Sequence, residues 1–598
     1  IWSLLVGCVA FATSCDLTED VQVKADKSMI FGSKSGLELY SNSFYKALPT
    51  LKNGFMQDKM CDVGAVSNTD TFIKRGAYNT ETATSWSWGA LKNVNYFIDG
   101  CNDPKYCTVE AETRDNYLGI ARWFRAWFYY DKLTTYGEVP WFPNDIQSYQ
   151  NDVMYKDRDS RDVIIRNLIA DLDFAYEHIQ ATSSTGSATL TRWAAAALKS
   201  RVCLFEAAYR RYHNLTGLEI TPEELYREAA KAAKLVIDNS GCSLNTAAGK
   251  KGAYRDLFYS ETPLTQEVIL AVCANEKSGI FGEQNWWFNA RSYGLCWSLV
   301  RSFVHTYLKQ DGTPFTAAAD YAVKSFAEEM EGRDLRLEQT VRGRNFLWDG
   351  KTAVADIKNL SLTGYQVIKY TLDESKYDGG AKNINSIPLI RYAEVLLNYA
   401  EAQAELGVLT DSEWALTVGA LRKRAGITGG TETLPTTVDS YLQRTFYPDV
   451  TSPVLLEIRR ERAIELVAEG MRFDDLRRWK CGSLMETLRW SGIHIPGLEQ
   501  PVDVNGDGVN DYYFTEGEVV SAPAAYKNIA VRVNQDGVGL YAEANPVSGY
   551  DLVYKTGAGD RYWYPDGRQY LYPIPAKVIR DYRNAGYTIS QNPEWDNE

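Results

Sequence analysis

The sequence predicts a mainly α fold, with helical hairpins as scaffold and a separate loop-rich portion. Three observations predict it. Apolar residues recur at helical spacing through most of the first 240 residues and again after residue 391. Small residues crowd two of these segments, TRWAAAALKSRVCLFEAAYRRY (191–212) and IPLIRYAEVLLNYAEAQAELG (387–407), so that neighbouring helices can approach closely. Between them, residues 241–390 are rich in Gly, Asn, Trp and Tyr and hold no long periodic run.

Taken in order, residues 1–15 read IWSLLVGCVAFATSC and carry no charge, and Asp16, Glu19 and Asp20 follow at once. The run is shorter than the roughly 20 residues a membrane span needs. It has the length of a secretory h-region, and Ala12-Thr13-Ser14 before Cys15 suits a processing site. Residues 1–14 are therefore read as a lipoprotein signal peptide, Cys15 as the lipidated residue with Cys8 as the alternative, and 15–30 as an acidic tether. A buried first strand or helix is the competing reading, but the run lacks an amphipathic period.

Residues 31–240 form an N-terminal helical region. Gly36–Leu48 is one helix. Ala111–Leu133 is a long one, with Trp123, Trp127 and Tyr130 on one stripe, ending before Gly137 and Pro140. Arg161–Ile179 and Thr191–Tyr212 follow. Thr221 caps Pro222–Asn239, with Glu224 placed to close a capping box. The pair 191–212 and 222–239 resembles a tetratricopeptide-type hairpin, and Arg391–Leu406 with Ser412–Arg424 is a second. No 34-residue repeat recurs in tandem, so ordinary helical hairpins are the plainer alternative. Region 241–390 is read as a loop-rich binding insertion, with a short strand over Glu267–Cys273 and a helix over Ser298–Leu308. Region 391–598 opens with helices to about Trp479 and turns irregular from Gly482.

Composition narrows function. The chain has 598 residues and a net charge of −13, a poor basis for nucleic-acid binding. Its 16 Trp, 39 Tyr and 21 Phe serve a large core, but they also suit flat, hydroxyl-covered ligands such as sugars. Four His residues are scattered, and HExxH, GxSxG and Walker A motifs are absent. Cys101 and Cys107 sit close enough in CNDPKYC to close a small disulfide or to remain two thiols. The segment Glu469–Trp479 holds several carboxylates, but adjacent arginines and helical spacing favour ion pairs over catalysis.

An ordered set of segments is similar to the SusD/RagB family of Bacteroidetes outer-membrane lipoproteins. It runs from ARWFRAWFYYDKLTTYGEVPWF (121–142) through RDLRLEQT (333–340), GYQVIKY (364–370), IPLIRYAEVLLNYAEAQAELG (387–407) and LRKRAG (421–426). IRRERAIELVAEGMRFDDLRRWKCG (458–482), LYPIPAKVI (571–579) and QNPEW (591–595) complete it. The resemblance implies a tetratricopeptide-like scaffold with a loop-built binding face. It also implies a non-enzymatic surface protein that binds glycans or other nutrients and works with a SusC-like, TonB-dependent outer-membrane transporter. A glycoside hydrolase and a protein-binding helical scaffold are the alternatives.

Two stretches supply candidate ligand residues. The first holds Arg75, Tyr78, Trp86 and Trp88 before a helix, where the family often draws a tryptophan; Trp88 is equally a packing residue. The second is GEQNWWFNARSYG (282–294), with Trp286, Trp287, Asn289, Arg291 and Tyr293. Read as extended chain, it cannot turn both tryptophans to one core. A third stretch, DVNGDGVND (503–511), places Asp503, Asn505, Asp507 and Asp511 as in a calcium loop, although position twelve is Phe514 rather than Glu. Two successive Asx–Gly turns are the alternative.

Overall fold

The computed structural model describes residues 27–289, 296–555 and 561–596. The signal segment with Cys8 and Cys15, most of the tether, and Arg291 and Tyr293 lie outside the described residues.

The scaffold is helical. Short helices α1 (Lys27–Phe31) and α2 (Lys34–Ser41) lead to α3 (Gly89–Asn102) and the long α4 (Ala111–Tyr136). The helix predicted over 36–48 divides, its second half being a 3-10 segment, Asn42–Ala47. Helix α4 runs past Leu133 and stops at Gly137, whose φ of 76° favours glycine. A Cβ there would also lie 2.7 Å from the Arg161 guanidinium. Next come α5 (Arg161–His178), α6 (Arg192–Tyr212), α7 (Pro222–Asn239) and, after the insertion, α8 (Tyr392–Glu405), α9 (Pro453–Glu465) and α10 (Arg472–Arg478). Thr221 and Glu224 close the expected capping box on α7. Each helix packs on its successor from α3 to α7, then α7 on α8 and α8 on α9. Both α6 and α7 bury several alanines, among them Ala194, Ala197, Ala229 and Ala233.

Strand β1 (Val268–Val272) pairs antiparallel with β2 (Ile387–Arg391), which runs straight into α8. The loop-rich insertion thus leaves and re-enters the scaffold at one point. The C-terminal part, read as irregular, builds two small sheets. One orders β6 (Ala530–Arg532), β5 (Tyr512–Thr515) and β4 (Pro501–Val502). The other orders β7 (Leu540–Ala544), β8 (Tyr550–Tyr554) and β3 (Ser491–Ile495). One buried cluster runs from Phe31 through the helices and both small sheets to Trp595.

Two further helices differ from expectation. Over 298–308 there is only strand Ser298–Leu299 and one turn, Arg301–Val304. Leu299 N donates to Tyr365 O at 3.0 Å, and Arg301 Nε reaches Glu329 at 2.8 Å, so partners outside the segment hold it out of a long helix. The helix over 412–424 is split at Thr417 (φ −108°, ψ −94°), whose hydroxyl donates to Glu413 O at 2.6 Å.

The charges of segment 458–482 are buried and paired. Arg472 binds Asp62 at 2.7 Å, Arg462 binds Asp475 at 2.8 Å, and Arg478 Nη2 reaches Glu401 at 2.7 Å. Glu465 is shared by Arg336, Arg391 and Arg424. Burial opposes its ionisation, yet Arg424, Arg391 and Arg336 outweigh burial and hold its carboxyl well below the usual range. These carboxylates bolt α9 and α10 to α8, β2 and the residues 334–336. A carboxylate held ionised among three arginines is unsuited to general acid work.

Candidate ligand-binding cleft

Trp88 is the N-cap of α3 and Trp86 lies two residues upstream. Their rings meet edge to face at 5.3 Å. Trp88 leans on Phe142 (5.2 Å) and Phe128 (5.5 Å), and Trp86 on Tyr136 (4.9 Å), so each is half-buried with one part open. Both line a cavity of about 820 Å³. This lies within the roughly 300–1,000 Å³ range of ordinary ligand pockets.

Part of the lining comes from the far end of the chain. Helix α11 (Ala576–Asn584) contributes Lys577, Arg580 and Tyr582, and Tyr155 joins them. Lys577 pairs with Asp581 and Arg580 with Glu81, each at 2.6 Å. Beneath the tryptophans, Asn95 is 1% exposed and donates through Nδ2 to Phe142 O (2.8 Å) and Asn144 O (3.0 Å). Its Oδ1 is buried without a partner. An aromatic platform beside a buried free acceptor can stack on a ring and receive a hydroxyl.

The structure brings Trp86 and Trp88 together and places the other candidates elsewhere. Arg75 is exposed and lies over the Tyr562 ring at 4.0 Å. Tyr78 packs against Phe72 (5.1 Å), Tyr572 and Trp595. Trp286 and Trp287 lie on a short helix, Gln284–Asn289, not on an extended segment. Helical geometry lets both be half-buried side by side, with rings 5.3 Å apart, so their adjacency does not force one outward. Trp287 Nε1 donates to Glu283 at 3.3 Å, and Asn289 Nδ2 to Asp378 at 3.2 Å. None of these residues lines the Trp86 cavity.

In loop 503–511, Asp503 accepts from Gly506 N and Gly508 N at 2.8 Å, Asp507 from Val509 N at 2.8 Å, and Asn505 from Asp507 N at 3.2 Å. Asp511 accepts from Val504 N at 2.8 Å. Burial, then the nearby Asp503 and Asp507, push the Asp511 carboxyl up. Among the described residues no group of three or more His, Cys, Asp or Glu is arranged to hold a metal ion. Cys101 and Cys107 are neighbouring free thiols, so the disulfide is not formed here.

Asn95 and the α11 wall were missed by sequence reasoning. Asn95 carried a signal, since it is a polar residue among Leu91, Val94 and Ile98 on the buried face of α3. The α11 wall carried none, because nothing in sequence joins residue 577 to residue 86.

Comparison with protein families matches the SusD family over residues 266–595. The chain belongs to the SusD family. Its fold is shared by a SusD-like protein from Bacteroides fragilis NCTC 9343, with 20% identity, a TM-score of 0.64, and coverage of 95% of this chain and 98% of the other. A SusD-like carbohydrate binding protein from the same organism gives 19% identity, a TM-score of 0.66, and coverage of 93% and 99%. A SusD homolog from Bacteroides thetaiotaomicron VPI-5482 gives 16% identity, a TM-score of 0.60, and coverage of 96% and 100%. No curated protein matches. No helix among the described residues is long and apolar enough to cross a membrane.

Proposed function

We propose that this SusD-family chain binds glycans in the Trp86–Trp88 cavity and delivers them to a SusC-like, TonB-dependent transporter at the outer membrane. The observation that carries the binding site is the pairing of an aromatic platform with the unpartnered Asn95 Oδ1 in one open cavity. A sugar meets both needs, with CH faces for the indoles and a hydroxyl for the amide oxygen. A solved SusD-like structure carries "carbohydrate binding protein" in its description, which supports the ligand class. Binding proceeds without bond chemistry. The buried carboxylates of α9 and α10 are engaged with arginines, and Glu81 and Asp581 at the cavity are paired with Arg580 and Lys577.

The test is calorimetry of the purified chain with malto-, cello-, xylo- and manno-oligosaccharides, followed by product analysis. Binding without new reducing ends supports the reading. Hydrolysis abolished by one Asp or Glu substitution would establish the glycoside hydrolase instead. Lipid anchoring through Cys15 is tested by Cys15→Ser, which should move the protein out of the membrane fraction. Structural calcium in loop 503–511 is a separate proposal, resting on the spacing of Asp503, Asn505, Asp507 and Asp511 in the sequence. It requires calcium, but not magnesium, to raise the melting temperature over a chelated sample.

A further inference from the structure

A second depression of about 1,410 Å³ adjoins the Trp86–Trp88 cavity. It lies between α1, α2 and α3. The two share Gly89 and Lys92, so they meet across the first turn of α3. Gly89 leaves that crossing open, since a Cβ built there has nothing within 4 Å. Trp88 caps α3 without a side-chain bond, and its indole cannot accept one. The N–H groups of Gly89, Ala90 and Leu91 precede the first helical bond, Lys92 N to Trp88 O at 3.1 Å.

The second depression repeats the construction of the first. Its platform is Tyr40 and Tyr96, half-buried, with rings 5.9 Å apart and tilted by 30°. Its free acceptor is Asp145 Oδ1, which is buried without a partner while Oδ2 is held by Gln147 Nε2 at 2.8 Å. Leu39, 77% exposed, forms an apolar rim. A buried acceptor left unpaired costs stability unless something donates to it. Two such acceptors, each beside aromatic rings on either side of an open saddle, ask for one ligand that offers CH faces and hydroxyls repeatedly along its length. Volume agrees, because the second depression alone exceeds an ordinary single-ligand pocket of roughly 300–1,000 Å³.

We propose that the depression between α1, α2 and α3 is a second subsite of the same cleft, occupied by further units of the oligosaccharide held at Trp86 and Trp88, with Asp145 as its hydroxyl acceptor. The inference rests on the glycan-binding reading above and adds chain length as the property selected.

The experiment is calorimetry of the full chain with the same four oligosaccharide series, from disaccharide to octasaccharide. Trp86→Ala and the double variant Leu39→Ser/Asp145→Ala run beside the wild type. For the series that binds, affinity should climb about tenfold or more between the disaccharide and the longer members. The double variant should erase that climb and leave disaccharide affinity unchanged. Trp86→Ala should weaken every length. Affinity that is flat with length, or a climb untouched by the double variant, overturns the subsite while leaving glycan binding in place. Failure of the wild type to bind any member removes the glycan reading and the subsite with it. Unchanged melting temperature of the double variant separates lost contact from lost fold.

Discussion

At Trp86 one side chain divides its surface between the molecule and the cleft. It rests on Tyr136 and Trp88 and keeps part of its ring open. Truncation removes mainly the open part. Trp86→Ala should lower glycan affinity on the order of ten- to hundredfold, about 1.5–3 kcal/mol of lost aromatic burial, with little change in melting temperature. Trp88 packs on more rings, Phe128, Tyr129 and Phe142, so its removal should cost stability as well. His213 offers a residue-scale test of pH dependence. Burial lowers its pKa from the usual 6.5 to about 4, and its Nε2 donates to Arg477 O at 2.8 Å as a neutral ring. The unfolded chain therefore binds a proton that the folded chain refuses between those two values. Stability from this group is fully present above pH 6.5 and is lost as pH falls toward 4, by about 3 kcal/mol. Urea unfolding at pH 7 and pH 4.5 should show a drop that His213→Gln reduces.

At the scale of elements, the helices owe their places to close approach and to buried charge. Gly100 on α3 faces Phe31 of α1, and a Cβ there would sit 2.0 Å from the ring. Gly100→Ala should therefore cost about 1–3 kcal/mol, read by urea unfolding, and loosen the wall of the second depression. Where α10 meets α8, breaking a buried pair is costlier. Arg478→Ala leaves Glu401 buried without its guanidinium and should destabilise by about 3–5 kcal/mol. These elements also show what was legible in the sequence. The α7 capping box, the α6 alanines and the stop at Gly137 obey local rules, and the structure keeps them. The split at Thr417 and the loss of a helix over 298–308 come from bonds to Glu413 and to Glu329 and Tyr365, partners that periodicity does not weigh. That Trp86 and Trp88 lie side by side was legible because they are two residues apart at the start of one helix. The α11 wall was not, because it folds back across nearly 500 residues of chain, Arg580 reaching Glu81 at a separation of 499.

At the scale of the whole molecule, one core joins the N-terminal helices to the C-terminal Trp595, and the cleft opens where chain beginning and chain end meet. The loop-rich insertion is clamped by β1 and β2 and contributes nothing to that cavity's lining. Two of its tryptophans, Trp286 and Trp287, lie outside that cavity. Replacing both with alanine should therefore leave binding at the Trp86 cavity unchanged, a result calorimetry can read directly. Trp86, Trp88 and Asn95 are proposed to form a glycan site that binds without cleaving. Its most direct test is calorimetry of wild type and Trp86→Ala against the same oligosaccharide series, with product analysis of the same samples. The wild type should bind saturably, Trp86→Ala at least tenfold more weakly, and intact oligosaccharide should be recovered from both. Equal affinity in the two proteins, or shortened oligosaccharide in the wild-type sample, would contradict that proposal.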